Sequence, residues 1–257
     1  MTTVDWNAVA YDDLSDPMFE WGLAVLETVP LRGDETVLDA GCGSGRLTEE
    51  LVRRLPNGQV IALDFSPAML QQTRARFAAN PRVSYVEASL ESFELAHPVD
   101  GIFSNAVLHW VPDHDRMFRA LHAALRPKGF LVAQFGGQGN LQKTLTWASK
   151  IAEQPPFRQY ISGARGGQHF EDEPSTVARM KAAGFTQIES RMHQVFPRFE
   201  RRERFEAFAG TVILRNIMAG LPEALRPEFL HLLSQRALAE HGAYVYDYVR
   251  LTVRARA

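Results

Sequence analysis

The chain has 257 residues, 46% hydrophobic and 23% charged, enough for one large α/β domain or a domain with an added cap. A formal net charge of −2 supplies no global basic field for nucleic acid, and the local basic cluster at 198–204 is interleaved with Glu200 and Glu203, as on a solvated helix face. The single cysteine, Cys42, excludes an intramolecular disulfide and a thiolate metal cluster and fits a reducing cytoplasm.

No apolar run approaches the ~20 residues that span a membrane, and Met1–Trp6 has neither the basic region nor the apolar core of a signal peptide. Residues 17–29 read as an amphipathic helix with Met18, Gly22, Val25, Leu26 and Val29 on one face, ended by Pro30 and Gly33. Strand one is 36–40, followed by glycines at 41, 43 and 45 and a helix over 45–55. Gln59–Asp64 is a short apolar run suited to a buried parallel strand, and Ser66-Pro67 caps the helix after it. Val83–Val86 and Gly101–Ser104 are strands three and four, 113–125 is a helix, Pro127-Lys128-Gly129 is a turn, and Phe130–Phe135 is strand five. Beyond 136 the pattern becomes mixed: a helix at 140–153 broken by Pro155-Pro156, a helix at 174–183, a strand at 186–196, a helical block at 203–240, and an alternating last strand at 244–253. Strands alternating with helices imply a parallel sheet with right-handed crossovers and a ligand at the carboxyl ends of the strands.

The most informative stretch is Val37-Leu38-Asp39-Ala40-Gly41-Cys42-Gly43-Ser44-Gly45. Strand, glycine turn and helix N-terminus are the parts of a nucleotide-cofactor site. The dinucleotide spacing Gly-x-Gly-x-x-Gly fails here, because Arg46 and Leu47 follow the third glycine. Asp39, just before the turn, suits a cationic ligand better than a pyrophosphate. Cys42 reads as a small packing residue, with no base near it in sequence.

Asp64 ends the second strand at the distance where a carboxylate can accept from both ribose hydroxyls; the alternative is a cap for the helix after Ser66, and the glycine turn upstream favours the ribose role. Val86-Glu87-Ala88-Ser89-Leu90-Glu91 ends the third strand, and Ser104-Asn105-Ala106-Val107-Leu108-His109-Trp110 ends the fourth. Together these segments resemble the class I S-adenosylmethionine-dependent methyltransferases, in the small-molecule branch that includes the trans-aconitate methyltransferases, whose post-strand-four motif ends His-Trp. The resemblance is close over 6–135 and only architectural beyond.

The resemblance implies a Rossmann-like α/β fold: a mostly parallel seven-stranded sheet with helices on both faces, an antiparallel last strand and a helical cap inserted around strand six. It implies one methyltransferase domain over 1–257, with a leader and helix at 1–30 over the cofactor and cap insertions at 137–173 and 198–242. S-adenosylmethionine is the implied cofactor, leaving as S-adenosylhomocysteine. Asp39, Gly41, Gly43, Gly45 and Asn105 fall on its methionine end, Asp64 on the ribose, Phe65 and Met69 on the adenine wall, and Ser89 and Leu90 on the adenine edge. Relatives often carry aspartate where this chain has Ser89, a weaker acceptor. Tyr11, near Trp6 and Asn7, falls on the leader.

His109 is the candidate base or orienter, with His169 behind it. Trp110, Arg165 and Arg198 are candidates for the acceptor, the arginines as forks for a carboxylate. The expected activity is methyl transfer to a small molecule, at a carboxylate or hydroxyl oxygen, in the cytoplasm, with no metal, nucleic-acid or membrane partner. Carbon methylation, other S-adenosylmethionine chemistry of natural-product metabolism, and a non-catalytic cofactor-binding module are the competing expectations.

Overall fold

A computed structural model describes residues 16–161 and 167–257; Trp6, Asn7, Tyr11 and Arg165 lie outside the described residues. The strands are β1 (Thr36–Ala40), β2 (Gln59–Asp64), β3 (Val83–Glu87), β4 (Val99–Asn105), β5 (Leu125–Gly136), β6 (Thr186–Val195), β7 (Arg198–Phe199), β8 (Tyr244–Val245) and β9 (Tyr248–Arg256). The α-helices are α1 (Asp16–Leu26), α2 (Arg46–Arg54), α3 (Pro67–Arg76), α4 (His114–Ala123), α5 (Gln142–Ala152), α6 (Glu173–Ala182), α7 (Arg202–Phe208), α8 (Arg215–Gly220) and α9 (Arg226–His241). None among the described residues is long and apolar enough to cross a membrane.

The seven-stranded sheet has the order β3-β2-β1-β4-β5-β9-β6. β1 pairs in parallel with β2 and β4, β2 with β3, and β4 with β5, while β9 runs antiparallel to β5. Period-2 alternation divides the strand residues between two cores. Val37, Val60, Ala62, Phe103 and Val132 pack with Val25 and Leu26 of α1, Leu51 and Val52 of α2, and Leu70 of α3. Leu38, Ala40, Leu63, Ile102 and Leu131 pack instead with Met117, Phe118 and Leu121 of α4 and Met180 of α6. The chain order reverses between β1 and β4, which makes the carboxyl ends of these strands the ligand-binding edge of such a sheet.

By contacts the chain divides into two compact units. Residues 17–138, 168–193 and 250–257 form the sheet unit; the described part of the other is 16, 139–161, 167 and 194–249. In the second unit α9 packs against α5 and α7, the Tyr246 ring stacks on Phe205 at 4.1 Å, and the Tyr246 hydroxyl donates to the Phe205 carbonyl at 2.6 Å.

Three boundaries differ from the expectation. The strand expected over 244–253 is two elements: β8 pairs with β7 as a separate ribbon, and β9 begins at 248. Between them Tyr246 is sealed in its aromatic cluster and Asp247 turns aside to cap α5, accepting from Lys143 N at 2.7 Å and Thr144 N at 3.1 Å. The turn at 127–129 lies inside β5, as a bulge: Val99 pairs with Leu125 and Gly101 with Phe130, and Lys128 takes φ +68°. The helical block at 203–240 is broken by a π-turn at Ala209–Ile213 and by Pro222.

Candidate functional site

The three glycines after β1 all have positive φ, and each is needed for a different reason. A Cβ on Gly41 would stand 2.4 Å from Val107, and one on Gly45 would stand 3.0 Å from Thr73. A Cβ on Gly43 would meet nothing within 4 Å among the described residues, so the turn presents bare backbone there. Gly41 and Cys42 both donate their N–H to the Leu63 carbonyl, at 2.7 and 2.9 Å, which ties the turn to the end of β2.

Asp64 completes that tie. Its Oδ2 accepts from Gly43 N and its Oδ1 from Ser66 N, each at 2.9 Å, while Ser66 Oγ caps α3 by accepting from Met69 N. Asp39 is buried and accepts from the Thr48 hydroxyl at 2.6 Å. Burial pushes its carboxyl up to about 7, with the nearby Asp64 charge adding to the rise. Cys42 is buried beside Thr73, and its thiol is held well above its ordinary range by burial and then by Asp39 and Asp64, which suits a packing residue.

Asn105, at the end of β4, donates Nδ2–H to the Met18 carbonyl of α1 at 3.0 Å. Its Oδ1 is buried with no hydrogen-bond partner among the described residues. A buried bare acceptor costs about 1–3 kcal/mol, so this atom asks for a donor that a ligand would bring. Phe65 is exposed, Met69 is buried in α3, and Leu90 points into the core, leaving its backbone as the group it can offer. Ser89 accepts from Glu91 N at 3.2 Å and turns its hydroxyl toward the Glu91 carboxylate at 3.4 Å.

Beyond the turn, His109 sits in a 3₁₀ turn at Leu108–Trp110. Its Nδ1 accepts from Gly136 N at 3.2 Å, its ring stacks on Phe170 at 5.7 Å, and Trp110 lies 5.3 Å away. Burial first, then the charge of Arg250 and His114, holds its protonation well below the ordinary histidine range. His169 joins this neighbourhood through its backbone, donating N–H to the His109 carbonyl at 2.7 Å. Arg198 is exposed on β7 and, within its own unit, lines an open groove with Phe199, Glu200 and Tyr244.

Arg250, Gln134 and Trp21 escaped the sequence reading. Arg250 is 1% exposed and stands opposite Gly136 in the β5–β9 ladder. Its Nε donates to Gln134 Oε1 at 3.2 Å, and its guanidinium lies 5.1 Å from the centre of the Trp21 ring. Gln134 in turn donates to the Thr252 hydroxyl. The available signal was a charged residue inside the run Tyr248-Val249-Arg250-Leu251.

The turn, the Asp64 clamp and the unpartnered Asn105 oxygen fit a cationic nucleoside cofactor: bare backbone at Gly43, carboxylates at the β1 and β2 ends, and a buried bare acceptor at the β4 end. Comparison with known proteins agrees. Residues 37–129 match the family model described as a methyltransferase domain. A trans-aconitate 2-methyltransferase of Methylobacterium nodulans is 35% identical over 161 residues, covering 62% of this chain and 60% of the relative. That of Escherichia coli is 37% identical over 130 residues, covering 51% and 50%. The matched region therefore spans between half and 60% of the length of these curated relatives.

Among solved structures, a putative methyltransferase of Bacillus halodurans superposes with TM-score 0.62 at 15% identity, covering 91% of this chain and 97% of the other. A phosphoethanolamine N-methyltransferase of Haemonchus contortus in complex with S-adenosyl-L-methionine gives TM-score 0.62 at 18% identity, covering 96% and 56%. These two likenesses show the fold. Residues 37–129 therefore carry a methyltransferase domain, and the chain is similar, over the part matched, to these trans-aconitate 2-methyltransferase relatives.

Proposed function

We propose that the protein transfers the methyl group of S-adenosylmethionine to an oxygen of a small carboxylic acid. The observation that carries this reading is the opposition of charge along one sheet edge. Carboxylates Asp39 and Asp64 close β1 and β2, whereas a buried guanidinium, Arg250, stands beside the end of β5. The relatives support it, since the names they carry specify trans-aconitate, a small polycarboxylic acid.

In this reading Asp64 takes the ribose hydroxyls, and the Asn105 oxygen accepts from the methionine ammonium. Asp39 faces the cationic end, and Phe65 covers the adenine, with the Ser89 hydroxyl and Leu90 backbone at its edge. Trp110 borders the acceptor. The sulfonium supplies an activated methyl group and a neutral thioether leaving group. The protein's part is placement: an oxygen held about 3 Å from the methyl carbon, in line, with water kept out.

The test is transfer of labelled methyl from S-adenosylmethionine across a panel of polycarboxylic acids, monocarboxylic acids and phenols. The expected product is a base-labile methyl ester of a polycarboxylic acid, releasing labelled methanol on saponification. A base-stable methyl product would establish carbon or nitrogen methylation instead. Cofactor binding without transfer to any acceptor would leave only a binding module.

A further inference from the structure

The hydrogen bond from Gly136 N to His109 Nδ1 decides more than the ring's orientation. A backbone N–H has only a proton to give, so Nδ1 is a bare acceptor, and the neutral ring carries its hydrogen on Nε2. Nε2 has no hydrogen-bond partner among the described residues. The ring is held in this pose by Phe170 and Trp110, and the His109 carbonyl is pinned by His169 N.

A histidine that works as a base must bind a proton at a bare nitrogen. Here the bare nitrogen is Nδ1, already covered by Gly136 N–H. Protonation there would strand a buried backbone donor, at a cost of about 1–3 kcal/mol. The surroundings oppose it as well: burial, then Arg250 of β9 and His114 of α4, disfavour the imidazolium. The same Arg250 charge favours an anion nearby.

We infer that His109 is a fixed hydrogen-bond donor, that its Nε2–H holds one oxygen of the acceptor's carboxylate, and that acceptors are acids already ionised rather than phenols or alcohols. This rests on the methyl transfer proposed above. One carboxylate oxygen forms the new O–C bond. The C–S bond breaks with its electron pair staying on sulfur, and no proton moves. The reaction therefore needs a group that positions the acceptor and none that deprotonates it, which is what the Gly136 contact leaves His109 able to do.

Two side chains separate donor from base. Glutamine places an amide N–H near the position of Nε2 but is no base; leucine offers neither. At saturating S-adenosylmethionine, H109L is expected to lower kcat/KM for a polycarboxylic acid about 10- to 100-fold, with cofactor affinity retained, and H109Q to recover most of that loss. Wild-type kcat/KM is expected to be flat from about pH 6.5 to about pH 9. Equal losses in H109Q and H109L would overturn the inference, as would a pH limb in this range that H109Q abolishes.

Imidazole nitrogen NMR of the histidine-labelled protein, with H109L for assignment, gives a reading that needs no acceptor. The expected spectrum is a neutral Nε2–H ring throughout the same pH range. An Nδ1–H ring, or one that titrates near neutrality, would sink the inference even if acids are methylated. Failure to methylate any acid would instead sink the proposed function, whatever the spectrum shows.

Discussion

At the ends of β1 and β2 the sheet holds two carboxylates braced by backbone N–H groups and a threonine hydroxyl. At the facing ends of β5 and β9 it holds a guanidinium and an amide, with a neutral imidazole alongside. The first region is built from a continuous turn and its neighbouring strand end. The second is assembled from residues 21, 109, 134, 136 and 250, which only the ladder and the 3₁₀ turn bring together. The contrast teaches that the region proposed for the methyl donor is preset by local backbone, whereas the region proposed for the acceptor is made by packing. Each end carries the charge opposite to the one it is proposed to receive.

The largest expected effect bears on the backbone of the first region. Gly41→Ala places a methyl 2.4 Å from Val107 at φ +83°. It should cost about 3 kcal/mol or more in denaturant unfolding and remove cofactor binding with it. Gly43→Ala separates the two losses, because its Cβ meets no atom of the described residues. Stability should fall by only about 1 kcal/mol, while calorimetric affinity for S-adenosylmethionine drops on the order of 100-fold. A comparable loss of stability in both variants would show that Gly43 serves the fold and not a ligand.

Next comes Asp39. Its native carboxyl is pushed up to about 7 from an ordinary 3.8, so between these values the folded state holds a proton that the unfolded state has released. Stability of the free protein should therefore fall as pH rises from about 4 to about 7. A cationic ligand reverses the preference: S-adenosylmethionine should bind about tenfold more tightly at pH 8 than at pH 6 and release a proton on binding. Buffers of differing ionisation enthalpy would reveal that proton, and Asp39→Asn should abolish both trends.

The smallest effect sharpens the second region. Arg250→Met removes one of the causes that depress His109 but leaves burial, the larger one. The imidazole should become somewhat easier to protonate, by NMR titration, without reaching the ordinary histidine range. No movement at all would mean that Arg250 does not act on this ring.

The first region could be read from the chain because its geometry is local. β1 and β2 fall at the expected bounds, the glycines lie in one turn, and Asp64 is 21 residues from the amide it accepts. Asp64 proved to do two things at once, bracing Gly43 and the start of α3. The β8–β9 boundary could not be read. Alternation ran on through Tyr246 and Asp247, and the break depends on an aromatic cluster and a helix cap from segments far away in sequence. Arg250 was hidden for the same reason. A charge inside the run Tyr248-Val249-Arg250-Leu251 is visible, but it does not tell an arginine facing solvent from one sealed against Trp21 and Gln134.

The sequence by itself determined the donor half of this protein: the glycine turn, the acidic strand ends and the cofactor class they suit. These depend on steric limits at single residues and on spacings of a few positions. Tertiary structure alone decided the tautomer of His109 and the company of Arg250. A tautomer is set by whichever hydrogen-bond group arrives at the ring, and here it is the Gly136 amide, 27 residues away on the neighbouring strand.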